Sequence, residues 1–304
     1  MPLRLEYDCL WCGRAEHARD RDDLGGWAQL CPDCLGKAGD NGFLRARLKA
    51  ALAERSATAT ATTLAEPSAA ATQPPARSPD DDRRTLVAYY EARAAEYDDW
   101  YLRRGRYERG PLHDAAWNAE LDAAGRWLDA LPIAGQIVEL AAGTGWWSPL
   151  IASKGELSCY DAAGAPLDRA RERLMAHGLR AHIHERDAWA EPDRPVDALF
   201  TGFWLSHVPD RQLIPFLELA RRWLRPGGTF AFIDSLPDPY SGAADHEPPI
   251  AGRAIRHLAD GRSFDIVTVH RTEAELGAAL RGAGFTTSEV SSTGRFFVLG
   301  WATA

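Results

Sequence analysis

IVELAAGTGWWSPLIASKGELSCYD, residues 137–161, is the stretch on which the fold turns. A short apolar run, Ile137-Val138, meets an acid, Glu139. The small-residue turn Ala141-Ala142-Gly143-Thr144-Gly145 follows, then a helical apolar pattern from Trp146 to Ser153. A second strand-like run, Leu157 to Tyr160, ends at another acid, Asp161. This is one βαβ unit with a tight first turn and a carboxylate at the end of each strand. A carboxylate about 20 residues beyond such a turn is where nucleotide-binding α/β folds hold a ribose.

Working outward, strand patterns recur at 136–140, 157–160, 180–184, 196–200 and 229–234, with helical patterns at 146–154, 166–176 and 210–224 between them. Strands alternating with helices of this length predict a doubly wound, mostly parallel α/β sheet. After Asp234 the rhythm breaks into a Pro- and Gly-containing insertion, 235–263, followed by a strand over 264–269 and a helix over 273–281. Two closing runs, 286–290 and 295–301, predict an antiparallel hairpin at the sheet edge. Upstream, Tyr90 and Tyr97 lie in a helical pattern near 85–97, and a longer helix is expected from His113 to Leu131.

The first 55 residues read as a separate module. Cys9-Leu-Trp-Cys12 and Cys31-Pro-Asp-Cys34 have the C-x2-C-x18-C-x2-C spacing of a four-cysteine zinc site. Four thiolates at tetrahedral geometry close the metal's coordination sphere, so the expected Zn2+ is structural rather than catalytic. Redox-active or free thiols are the alternative. A hairpin tip is expected at 22–26 and a helix at 41–55. Residues 56–82, rich in Ala, Thr, Ser and Pro, read as a flexible linker. The main domain is then 83–304.

Composition limits the function. The 304-residue chain is 45% hydrophobic with a formal net charge of -8. Residues 1–50 carry as many acidic as basic side chains. Nucleic acid is therefore a less favoured partner, because phosphate binding needs clustered Lys and Arg. A protein partner for the cysteine module fits better. No run of about 18 apolar residues marks a membrane span, and the N-terminus lacks a secretory h-region. The expected location is cytoplasmic, with no membrane partner.

The turn AAGTG is neither G-x-G-x-x-G nor a P-loop, which favours a cofactor without phosphates. Asp161 can accept hydrogen bonds from two vicinal ribose hydroxyls, and Asp187 is placed to meet an exocyclic amine. ELAAGTG, YDAAGAPLDRAR, RDAWAEP, LSHVPD and LRPGGTFAFID, in this order, resemble the motifs of class I S-adenosylmethionine-dependent methyltransferases, over roughly residues 85–304. The resemblance implies a seven-stranded, mostly parallel sheet with an antiparallel last strand, which the closing hairpin suits, and S-adenosylmethionine (SAM) as cofactor. It implies that the turn around Glu139, Ala141 and Gly143 meets the amino-acid part of SAM. Asp161 would hold the ribose with Ala162 beside the adenine, and Asp187 and Ala188 would contact the adenine. YYEARAAEYD, with Tyr90 and Tyr97, resembles the helix that closes over the cofactor in this family, although both tyrosines have an alternative as plain core or surface aromatics. One departure stands out: the commonest form of the turn has Gly and Cys where this chain has Ala141 and Ala142.

Methyl transfer needs a base only when the acceptor must lose a proton. His207, after the fourth strand, and His246, in the insertion, are the candidates. The Asn/Asp-Pro-Pro-Tyr/Phe motif for base amines is absent, since Thr201-Gly-Phe-Trp204 stands in its place. The expected acceptor is a small organic molecule methylated on O or N. The alternatives are RNA or protein targeted by the cysteine module, or a SAM-binding scaffold without turnover.

Overall fold

The computed structural model describes the strands β1 (Leu5–Asp8) and β2 (Ala15–Ala18) and residues 78–304. The chain divides into two compact units, Met1–Pro75 and Ala76–Ala304. In the first, β1 and β2 pair antiparallel, with Leu5 opposite Ala18 and Asp8 opposite Ala15. The expected hairpin tip at 22–26, the helix at 41–55 and residues 56–77 of the linker lie outside the described residues.

The second unit begins with α1, Pro79–Arg93. Its first turn falls inside the stretch read as linker, so that boundary is corrected. Pro-Asp-Asp-Asp has the composition of a solvated loop, yet it is a helix start. The Ser78 side chain accepts the Asp81 N–H at 3.1 Å, Pro79 sits in the first turn, and three aspartates face the positive end of the helix. A short helix α2, Tyr97–Tyr101, and a long α3, Pro111–Ala130, follow.

The sheet is then built from β3 (Gly135–Leu140), β4 (Gly155–Asp161), β5 (His182–Glu185), β6 (Val196–Gly202) and β7 (Leu224–Ser235). Helices α4 (Ser148–Ala152), α5 (Gly164–Ala176) and α6 (Asp210–Trp223) connect them. After β7 come a separate hairpin, β8 (Arg253–His257) and β9 (Ser263–Val267), then α7 (Glu273–Gly282), β10 (Thr287–Ser292) and β11 (Phe297–Thr303). The seven-stranded order is β5-β4-β3-β6-β7-β11-β10. β3 to β7 run parallel, and β11 runs antiparallel to both its neighbours. The expected fold class holds for this unit.

Two details go beyond the sequence reading. The strand expected at 264–269 does not join the main sheet. It pairs with β8, inside the insertion, with Arg256 opposite Phe264 and Ala254 opposite Ile266. Arg225-Pro-Gly-Gly228 is an irregularity within β7, where the register passes from Val196 opposite Leu224 to Ala198 opposite Thr229.

The central strands β3, β4, β6 and β7 are buried on both faces, as interior parallel strands must be, while the edge strand β5 is largely exposed. On one face Ile137, Leu157, Phe200 and Ile233 pack under α3 and α4 through Trp117, Leu128 and Ile151. On the other, Val138, Leu199, Phe230 and Phe232 meet α6 and α7. α6 supplies Leu213, Phe216, Leu217, Ala220 and Trp223, all buried and spaced for one helical face. Strand order reverses between β3 and β6, and their carboxyl ends open the crevice in which ligands bind in such sheets.

Candidate functional site

The turn after β3 is shaped by its backbone. Ala141, Gly143 and Gly145 have φ of 52°, 56° and 69°, in the left-handed region. A Cβ on Gly143 would stand 3.5 Å from the Tyr97 hydroxyl, so the bare glycine leaves room beneath that ring. The Asp161 carboxylate, at the end of β4, accepts the Gly143 N–H at 2.8 Å and the Ala163 N–H at 2.9 Å. Asp187 accepts the Trp189 N–H at 2.8 Å. α2 is fastened to the same turn. The Thr144 hydroxyl donates to Asp98 at 2.6 Å, and Asp98 also pairs with Arg173 of α5.

Tyr90, Tyr97, Ala141, Gly143, Asp161, Ala162, Asp187 and Ala188 line a single narrow cleft of 50 Å³. Every cofactor residue expected from sequence is there except Glu139. The register places Glu139 opposite Cys159 on the α4 face of the sheet. It accepts the Ser148 hydroxyl at 2.5 Å, and only 2% of its surface is exposed. Burial raises its pKa to about 7, against the lowering effect of Ser148. Its side chain thus supports the turn from behind.

The cleft adjoins a larger cavity of 540 Å³, and Tyr90, Tyr97, Phe203 and His207 line both. His207 Nδ1 lies 2.8 Å from the Val267 carbonyl, so it carries the proton, and Nε2 accepts the Tyr90 hydroxyl at 2.6 Å. Burial lowers the His207 pKa to about 4, so the ring is neutral at physiological pH. His246 also lines the cavity, but its Nε2 lies 3.0 Å from the His257 carbonyl and 3.1 Å from the His257 backbone N, which ties the insertion loop to β8. Burial lowers its pKa to about 4 as well.

Comparison with known proteins agrees with this geometry. Residues 137–228 match the family model described as a methyltransferase domain. The solved structure of DhpI with SAH is 30% identical, covering 74% of this chain and 98% of that one, with a TM-score of 0.59. A second DhpI structure, with SAM and HEP, aligns equally well, with a TM-score of 0.59. The chain belongs to the class I SAM-dependent methyltransferases. A Burkholderia thailandensis 1,6-didemethyltoxoflavin-N1-methyltransferase, 16% identical with a TM-score of 0.50 over 79% of this chain and 99% of that one, shares the fold. Among curated proteins, the ubiquinone/menaquinone biosynthesis C-methyltransferase UbiE of Coxiella burnetii is 31% identical over 107 residues, 33% of this chain. The chain spans 42% of the length of that relative.

The residues of this methyltransferase suit the cofactor. Two carboxylates, Asp161 and Asp187, face one cleft with apolar walls. That arrangement favours a ligand bearing hydroxyl and amine donors and repels a phosphate. The buried Trp204 Nε1, which lacks a partner among the described residues, belongs to a residue lining the same cleft. Ala141 carries the structural cost of departing from the commoner glycine. A non-glycine residue in the left-handed region is strained by about 1–2 kcal/mol. Ala141→Gly is therefore expected to stabilise the fold by roughly 0.5–1 kcal/mol in denaturant unfolding, part of the gain being offset by the freer unfolded chain. Ala142→Gly, which relieves no such strain, is expected to destabilise it.

Sequence reading did not find several residues that shape the larger cavity. Arg93 and Arg256 line the large cavity; Arg93 lies within YYEARAAEYD, but only its tyrosines are singled out there, and no motif contains Arg256. Arg103 fixes the insertion, its guanidinium donating to the Ser241 carbonyl at 2.8 and 3.1 Å and stacking 3.7 Å from the Trp117 ring centre. Cys9, Cys12, Cys31 and Cys34 lie outside the described residues. Among the described residues no group of three or more His, Cys, Asp or Glu side chains is arranged to hold a metal, and no helix is long and apolar enough to cross a membrane.

Proposed function

We propose that this methyltransferase transfers a methyl group from SAM to an O or N atom of a small organic acceptor held in the 540 Å³ cavity. The observation that carries the reading is the sharing of Tyr90, Tyr97, Phe203 and His207 between the carboxylate-lined cleft and that cavity. SAM, when bound, supplies an electrophilic methyl group on a sulfonium. Asp161, Asp187 and the bare turn at Gly143 would hold it. The cleft is small and Tyr90 and Tyr97 form part of its wall, so binding entails a shift of the helical segment that carries them. The chain's own contribution is alignment and exclusion of water, which together supply much of the rate in a displacement reaction. A cavity walled by aromatic rings and an insertion fits a small molecule better than a polymer.

His207 is proposed as the group that takes a proton from the acceptor, with its orientation fixed by Val267. Tyr90 would yield Nε2 to the acceptor or relay the proton. A ring held near pKa 4 by burial is a weak base, so its effect belongs at the low end of the general-base range. His207→Gln is expected to lower kcat by about 100-fold while leaving SAH affinity unchanged. Loss of SAH binding in that variant would assign His207 to the cofactor instead. His246, spent on the backbone of His257, is proposed to act on cavity shape, and His246→Gln should cost less. The overall reading is tested by transfer of labelled methyl from SAM across panels of small hydroxyl- and amine-bearing acceptors. Turnover on RNA or protein alone, abolished by removing residues 1–75, would favour the targeting alternative, and SAM binding without any turnover would favour the scaffold.

Cys9, Cys12, Cys31 and Cys34 are proposed to hold a structural zinc. The spacing supports this, as does the β1–β2 pairing, which brackets the stretch containing Cys9 and Cys12. Metal analysis of the purified chain is expected to find one zinc per chain, lost in the Cys31→Ser/Cys34→Ser double variant. A metal-free wild type would reject the site.

A further inference from the structure

The large cavity holds an excess of unpaired cationic and hydroxyl donors. Arg93 of α1 is 8% exposed. Its guanidinium sits among the rings of Tyr89, Tyr90, Tyr97 and Tyr107, closest to Tyr97 at 4.6 Å. Its one hydrogen bond among the described residues goes to the Tyr107 hydroxyl at 3.3 Å, and its Nε is buried without a partner. Arg256 reaches the cavity from β8. Strand alternation puts buried Ala254 and half-buried Arg256 on one side, while Ile255 is exposed on the other. Arg256 makes only a long contact, 3.4 Å, to the Glu247 carbonyl, and no ion pair among the described residues. Burial and the like charge of Arg93 hold its pKa below the ordinary arginine value, against the opposing effect of Tyr89.

The neighbouring acids do not compensate these charges. Asp238 is paired with Arg295 at 2.7 Å, and Glu247 is exposed with no ion pair to either arginine. Two further donors, the Ser241 and Thr268 hydroxyls, are buried without partners and belong to residues lining the same cavity. Buried guanidinium groups in a folded protein are ordinarily paired with acids, because an isolated buried charge costs several kcal/mol. Cation–π contacts offset part of that cost for Arg93, at roughly 0.5–2 kcal/mol each. Arg256 has no ring contact of this kind among the described residues. A ligand oxyanion would satisfy both guanidinium groups and both hydroxyls at once, and the planar fork of arginine suits a carboxylate or a phosphoryl group.

We propose that this cavity recognises its methyl acceptor through an anionic group, a carboxylate or a phosphoryl oxyanion, bound by Arg93 and Arg256 with help from Ser241 and Thr268. The assignment rests on the reading of the cavity as the acceptor site. It makes Arg256 a specificity determinant, delivered by the β8–β9 hairpin, which stands outside the main sheet.

The test is calorimetry on the full chain saturated with SAH, at constant ionic strength, with inorganic phosphate, acetate and acetamide as probes. Phosphate or acetate is expected to bind at one site in the millimolar range while acetamide does not, and the tighter of the two anions names the oxyanion class. Arg256→Gln is expected to weaken that anion at least tenfold, Arg256→Lys to retain most of the affinity, and Thr268→Val to weaken it a few-fold. All three variants should melt close to the wild type. Anions that bind no better than acetamide, or a folded Arg256→Gln variant that binds them as tightly as wild type, would overturn the proposal. SAH titrated into the same samples separates the two readings. If SAH binds and the anions do not, only the oxyanion assignment falls. If the anions bind and SAH does not, the cofactor reading falls and the oxyanion site stands.

Discussion

Replacing Asp161 by alanine is expected to weaken SAH binding by about 100-fold or more. Two hydroxyl donors onto an ionised carboxylate contribute about 1.5–3 kcal/mol each, and 1.4 kcal/mol is tenfold in affinity. The side chain has a second task, since it accepts the Gly143 and Ala163 N–H groups that set the turn. Asp161→Asn separates the two, because its carbonyl oxygen can serve one N–H but carries no charge. It should bind SAH better than the alanine variant and worse than wild type. The pH dependence has a definite sign. Burial, with a smaller contribution from the like charge of Asp187, raises the Asp161 pKa to about 6, against its backbone hydrogen bonds. The ionised form is the better acceptor, so SAH affinity should fall as pH drops through 6, by about tenfold per unit well below it. The linkage to folding runs the other way. Because the folded pKa is raised, the stabilising contribution is present below the unfolded value and is lost as pH rises through about 6. Flat SAH affinity between pH 5 and 7.5 would remove Asp161 from the cofactor site.

Gly145→Ala is expected to cost about 3 kcal/mol of stability in denaturant unfolding. Gly145 has φ of 69°, which strains any residue with a Cβ by about 1–2 kcal/mol. The added methyl would stand 2.8 Å from the Ala170 Cβ and 2.9 Å from its Cα, and backbone cannot step aside as a flexible side chain can. Overpacking of this kind adds about 1–3 kcal/mol. Relief requires α5 to move away from the turn, which would loosen the Asp98 tie to Arg173. The variant should therefore lose SAH affinity as well as stability. Unchanged melting would mean that α5 does not pack on this turn as described.

How much of this was legible in the sequence follows from what each residue depends on. Gly143, Asp161, Asp187 and Ala188 sit at strand ends or in the turns beyond them. Period and chain order alone bring such positions to one edge of a parallel sheet, so their meeting could be read from spacing. Glu139 sits at a strand end too, but its side chain follows the pleat to the α4 face, and an acid at that position looks the same in sequence whichever way it points. The start of α1 was missed because Pro-Asp-Asp-Asp suits both a loop and a capped helix. The packing of Leu86 and Tyr89, buried with Leu258 and Ile266 of the insertion, decides between them. Arg93 and Arg256 are separated by long stretches of chain and meet only through the placement of a hairpin that periodicity showed as a single strand. Nothing local in sequence reports that a distant arginine lacks a carboxylate partner. The lining of the larger cavity was therefore unreadable from the motifs that identify the methyl donor.

The measurement that bears most directly on the central claim is a calorimetric titration of the full wild-type chain with SAH at pH 7.5. The geometry of the Asp161–Asp187 cleft predicts saturable binding of one SAH per chain, displaced by SAM. Absence of binding, or binding that persists undiminished when Asp161 and Asp187 are both replaced by alanine, would contradict it.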